Sequence, residues 1–124
     1  MWDGVGRFRL FDVPVLFPWF EGDVVQLSYQ SAMRFRFNKA KSESLRRNPK
    51  RGVGFEEAQE VFTRPYYQDL RSDDPEQYRA IGWVGDRWLT VIFEIREDNL
   101  GQYCHLVTLW RSTREERELY EANS

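Results

Sequence analysis

The chain has 124 residues, 41% apolar and 16% aromatic, with a formal net charge of −2. That is enough for one folded domain with a single core, and it excludes a disordered chain. One cysteine, Cys104, and one histidine, His105, exclude a disulfide framework and a cysteine–histidine zinc cluster, so no metal or other cofactor is expected. The apolar run at residues 13–20 contains Pro14 and Pro18. It falls short of the ~18 residues of a membrane span and lacks the order of a secretory signal. The expectation is a soluble, cytoplasmic protein with no membrane partner.

Residues 1–32 are aromatic-rich and punctuated by Gly4, Gly6, Pro14, Pro18 and Gly22, with no sustained helical or strand period. They are expected to form an extension to a domain at 33–124, with Met33 either the biological start or the junction of an appended arm. An extra strand of the same domain, at 24–29, is the alternative. From Met33 the signals become regular. Arg34-Phe35-Arg36-Phe37 alternates basic and aromatic residues, which predicts a short strand with one buried face. Asn38 predicts the cap of a helix from Lys39 to about Arg47, stopped by Pro49. Gly54 leads into a second predicted helix, 55–62, with Phe55, Ala58 and Phe62 on one face and Glu56 and Glu57 suiting its dipole; Pro65 closes it.

Strands are predicted at about 66–70, 78–84, 87–96 and 103–111. Val84-Gly85-Asp86-Arg87 reads as a two-residue hairpin turn and Asp98-Asn99-Leu100-Gly101 as a longer loop. Leu89, Val91, Phe93 and Ile95 share a face that belongs to the core. Ser112 and Thr113 before Glu115 and Glu116 form a capping-box pattern opening a last helix through Tyr120. The order β-α-α-β-β-β-β-α predicts an α+β domain: a mostly antiparallel sheet of four to five strands, two N-terminal helices and a C-terminal helix.

Charge is unevenly spread. Between Met33 and Gly52 stand Arg34, Arg36, Lys39, Lys41, Arg46, Arg47, Lys50 and Arg51 against the single acid Glu43. Such a block attracts phosphates or an acidic partner chain, unless it is merely a solvated helix face. Arg79, on a predicted strand, is placed either to grip RNA phosphate with its planar fork or to pair with Asp73, Asp74 or Glu76. Simple alternation puts His105 on the same side as Val107, Leu109 and Arg111. It is the one side chain suited to acid–base work near neutral pH, or else an ordinary half-buried histidine. Trp83, Trp88 and Trp110 are candidates for base stacking or for the core. Cys104 has no surrounding signal that would make it a nucleophile.

The segments Phe35-Arg36-Phe37-Asn38-Lys39-Ala40-Lys41, Lys50-Arg51-Gly52-Val53-Gly54-Phe55-Glu56-Glu57-Ala58, Arg79-Ala80-Ile81-Gly82 and Thr113-Arg114-Glu115-Glu116-Arg117-Glu118-Leu119-Tyr120 together resemble, in order, the BrnT family of type II toxins. These are small RelE-like ribonucleases paired with a BrnA-type antitoxin. The resemblance covers 33–124 and implies a RelE-like fold. It also implies metal-independent cleavage of RNA, free or on the ribosome, that inhibits translation until a cognate antitoxin binds. Arg111 matches the family's strand. Arg79 lies two residues after Gln77, which stands where the family tends to carry an arginine, and can substitute for it from the same face. His105 is the chain's own acid–base candidate. These three are the catalytic candidates, and Arg46, Arg47, Lys50 and Arg51 of the basic block are the RNA-binding ones. The chain departs from the pattern where the family's histidine after lysine is Arg51. It departs again at His105–Arg111, where only the last of the family's arginines is kept. These departures define the alternative, a catalytically silent relative that binds a partner protein or nucleic acid.

Overall fold

The structure, a computed structural model, describes residues 34–123; the expected extension at 1–32 and its strand at 24–29 lie outside the described residues. The predicted element order is found: β1 (Phe35–Arg36), α1 (Lys39–Arg47), α2 (Phe55–Ala58) running into a 3-10 helix (Gln59–Thr63), β2 (Tyr67–Asp73), β3 (Glu76–Val84), β4 (Arg87–Asp98), β5 (Gly101–Arg111) and α3 (Arg114–Ala122). Asn38 caps α1 as expected, its side chain accepting from the Lys41 N–H at 2.8 Å. The second helix is shorter than predicted. Arg64, which precedes Pro65, is held extended (φ −132°, ψ 164°), and the last turn tightens to 3-10 while burying Val61 and Phe62.

The five strands form one sheet in the order β1-β5-β4-β3-β2. Three neighbouring pairs are antiparallel, and β1 joins β5 in parallel, which makes the sheet mixed. Gly85 takes φ 62° in the β3–β4 turn, as a two-residue hairpin requires. The β4–β5 loop is tighter than expected. Asp98 already pairs with Gly101, leaving only Asn99 and Leu100 in the turn, and the Asp98 carboxylate accepts from the Leu100 N–H at 2.9 Å.

One sheet face carries Ala80, Leu89, Val91, Phe93, Cys104, Leu106 and Leu109, all buried with Leu45, Phe55, Ala58, Val61 and Phe62 of the α1–α2 layer. Phe62 is the hub, its ring 5.3 Å from Phe35, 5.2 Å from Tyr66 and 5.2 Å from Phe93. The second face is covered by α3 at one end, where Leu119 and Tyr120 pack on Tyr67 and Ile81. Burial pushes the Cys104 thiol up to about 12, in keeping with an unreactive core cysteine. Among the described residues no helix is long and apolar enough to cross a membrane.

The α1–α2 junction explains the Gly-Phe-Glu-Glu segment. The Ser42 hydroxyl of α1 accepts from the Phe55 N–H at 2.8 Å and donates to Glu56 at 2.5 Å, so it caps α2 from outside. A side chain at position 54 would collide with it, because a Cβ there would sit 2.5 Å from Ser42 Oγ and 2.6 Å from Arg46 Nη2. Glycine is required for that close approach.

Candidate functional site

The register of β5 shifts once. Ile92 pairs with Thr108 but Phe93 pairs with Leu106, so Val107 is an extra residue. A bulge of this kind exchanges the faces of the residues on its two sides. His105 therefore lies opposite Glu94, on the face away from Leu109 and Arg111, which corrects the placement expected from alternation. Arg79 pairs with Ile92 and shares the face of His105, whereas Arg111 pairs with Leu89 on the α1–α2 face. The three catalytic candidates are not brought to one point.

Arg79 is held by Asp69 through two hydrogen bonds, one of 2.9 Å from Nε, and its Nη1 stands 3.7 Å from Glu116. Its partner is thus Asp69 of β2, not Asp73, Asp74 or Glu76. Trp110 donates to Glu116 at 3.0 Å, and Arg71 lies over its ring at 5.3 Å. Trp83 and Trp88 meet edge to face at 4.8 Å.

The basic block is partly spent inside the fold. Arg46 bridges Glu43, Glu56 and Glu57 at 2.5, 2.7 and 3.0 Å, so its charge serves the α1–α2 junction. Arg34 and Arg36 share Asp98 at 2.8 and 2.5 Å. Arg47 stays largely exposed, 3.5 Å from Glu43. Lys50 is exposed too, and Arg51 turns to the sheet, donating from Nε to the Leu109 carbonyl at 3.2 Å.

Around His105 the open half of the second face gathers a different set of residues. Arg36 is its register partner on β1 and Glu94 its register partner on β4. Arg96 pairs with Glu94 at 2.5 Å, and Gln77 donates to Glu94 at 2.8 Å. Tyr103 lies under Arg36 at 4.5 Å and Arg34 at 5.5 Å. Burial, then Arg96 and Lys41, lower the pKa of His105 against the opposing pull of Glu94, which leaves a neutral imidazole at physiological pH. Four cations (Arg34, Arg36, Lys41, Arg96) surround two carboxylates (Glu94, Asp98). A neutral base beside cations in excess of acids can take a proton from a hydroxyl and stabilise charge developing on phosphorus.

The sequence is similar to no protein-family model and to no curated protein with which it was compared. The site therefore rests on its own geometry.

Two carboxylates, Asp98 near His105 and Glu56 at the α1–α2 junction, set an acid limit. Asp98 is held down to about 2, first by the Arg34 hydrogen bond and then by the Leu100 N–H, while Glu56 is held down to about 2, first by the Ser42 hydroxyl, then its own backbone N–H and Arg46. Depressed carboxyls give stability that is present above the ordinary carboxylate range and is lost as pH falls toward about 2. Urea unfolding midpoints are expected to hold from neutral pH to about 5 and then to decline. Asp98→Asn should flatten part of that decline.

Proposed function

We propose that this chain is a BrnT-like toxin: a metal-independent RNA endonuclease of a type II toxin–antitoxin pair, silenced by a small cognate antitoxin. The order β-α-α-β-β-β-β-α supports a RelE-like domain, and the single observation that carries the reading is the His105 cluster. In this account neutral His105 takes the proton of a ribose 2′-hydroxyl, whose oxygen bonds to the adjacent phosphorus. The bond from phosphorus to the 5′-oxygen breaks. Tyr103, on the same face, donates a proton to that leaving oxygen and recovers one from protonated His105. Arg36, Lys41 and Arg96 stabilise the charge on the phosphorane oxygens. Arg79 and Arg111, expected from sequence in that role, are replaced in it by these three.

A second reading has its own observation. Arg79 is neutralised by Asp69 and stands apart from Arg111, as a chain that has kept binding without cleavage would allow. Induction of the full chain in a bacterial host separates the two. Growth arrest with loss of bulk translation, relieved by a co-expressed BrnA-type antitoxin, is the expected result. Unimpaired growth together with intact RNA, tested with the purified protein in EDTA with and without translating ribosomes, would decide for the silent binder.

A further inference from the structure

Two bulges shape the second sheet face. In β5 the extra Val107 puts Trp110 on the same face as His105. Trp110 pairs with Thr90 and His105 with Glu94, four residues apart on unbroken β4, or roughly 13 Å along the strand. In β2, Leu70 pairs with Tyr78 and Ser72 with Gln77, so Arg71 is an extra residue there. A bulge re-aims a side chain. Arg71 reaches across β3 and β4 to lie over the Trp110 ring, 5.3 Å from its centroid.

The indole is fixed before any ligand arrives. Its Nε1–H donates to both Glu116 oxygens, at 3.0 and 3.2 Å, and that buried carboxylate is itself held by the Thr90 hydroxyl and the Thr113 N–H. The ring is only half-buried, and the Arg71 that lies over it is exposed. Among the described residues Arg71 is within ion-pair distance of no carboxylate, whereas Arg79 on the same face is neutralised by Asp69. A rigid, partly open aromatic ring under an unspent guanidinium is the pair of planar groups on which an unstacked base is held.

We infer that Trp110 and Arg71 form a base subsite on the His105 face: one base of a single strand stacks on the indole, and the guanidinium closes over it. Every base has a face to stack, so the subsite gives hold without sequence readout. At its separation from His105 the stacked base is not at the cleaved bond. The subsite therefore positions the strand and takes no part in the chemistry. That the strand is RNA cut at His105 rests on the proposed function, whereas the stacking does not.

The test titrates the full chain with two labelled strands of equal length and charge. One is a short oligodeoxynucleotide, which lacks the 2′-hydroxyl and cannot be cut; the other is the same sugar–phosphate chain without bases. Fluorescence anisotropy reads the affinities, and thermal melting checks the folding of each variant. The unmodified protein is expected to prefer the strand with bases about tenfold, as the stacking of one base gives. Trp110→Leu should abolish that preference with little change in affinity for the bare chain. Trp110→Phe, which keeps a ring, should retain most of it, and Arg71→Ala should lose part. Arg71 is exposed, so its variant decides if Trp110→Leu fails to fold. Where RNA is cut, Trp110→Leu should raise KM and leave kcat nearly unchanged; the reverse would contradict the subsite. Equal affinity of the unmodified protein for the two strands, or an unchanged preference in folded Trp110→Leu and Arg71→Ala, would overturn the inference. A preference lost with Trp110 supports it even if RNA is never cut, and the nuclease reading then falls alone.

Discussion

Glu116→Ala is expected to lower the unfolding free energy by about 3 kcal/mol or more, a large share of the total of a small domain. The carboxylate is only 6% exposed. It accepts from the Thr90 hydroxyl at 2.9 Å, from Trp110 Nε1 at 3.0 Å and from the Thr113 N–H at 2.8 Å, and it faces Arg79 at 3.7 Å. Its own N–H is capped by Thr113 Oγ1 at 3.2 Å, so the capping box that starts α3 is also the tie between α3 and the sheet. Alanine leaves the Trp110 indole N–H and part of the Arg79 guanidinium without their acceptor, and leaves the buried Thr90 hydroxyl with Ser112 alone. Glu116→Gln keeps an acceptor oxygen and should cost much less. Equilibrium urea unfolding of the three proteins measures it; a loss for alanine no greater than for glutamine would mean that this buried junction does not hold the helix.

His105→Gln is expected to reduce RNA turnover about 100-fold or more while leaving the fold intact, because glutamine fills the space and hydrogen-bonds but exchanges no proton. Arg96→Ala and Arg36→Ala should lower kcat by a similar order, as loss of a charge-stabilising donor does. The two arginines suggested by sequence alone should behave differently. Arg79→Ala strips the partner from Asp69 and should show first as lost stability. Arg111→Ala should raise KM with kcat nearly unchanged, since its side lies across the sheet from His105. Steady-state kinetics on a defined RNA, with melting curves for every variant, separates these effects.

Much of the architecture was legible because its determinants are local. Asn38, Gly85 and Thr113 mark a helix start, a turn and a helix start in the sequence, and each acts there in the structure. The alternation of Leu89, Val91 and Phe93 identified the core face for the same reason. What stayed hidden depends on pairing between distant segments. The parallel docking of β1 on β5 has no local signature. The bulge at Val107 reversed the expected side of His105, and no residue type announces a bulge within a strand of ordinary composition.

The site shows both sides of this. His105 was visible as the lone histidine, but its neighbours Glu94, Arg96 and Tyr103 were missed. Their signal existed: with Asn99 and Leu100 as a two-residue turn, Arg96 falls opposite Tyr103 and Glu94 opposite His105. The longer loop assumed from Asp98 to Gly101 hid that register. The basic block looked uniform in sequence because Glu56 and Glu57, which take up Arg46, belong to the next element and meet it only through the helix–helix turn.

The decisive measurement is the pH–rate profile of RNA cleavage by the purified full chain in EDTA, beside that of His105→Gln. The wild-type rate should rise with pH through a midpoint below the ordinary histidine value of about 6.5, since burial and Arg96 lower it, and the variant should lack that limb. A wild-type chain that leaves RNA intact at every pH, or an unchanged limb in His105→Gln, would contradict it.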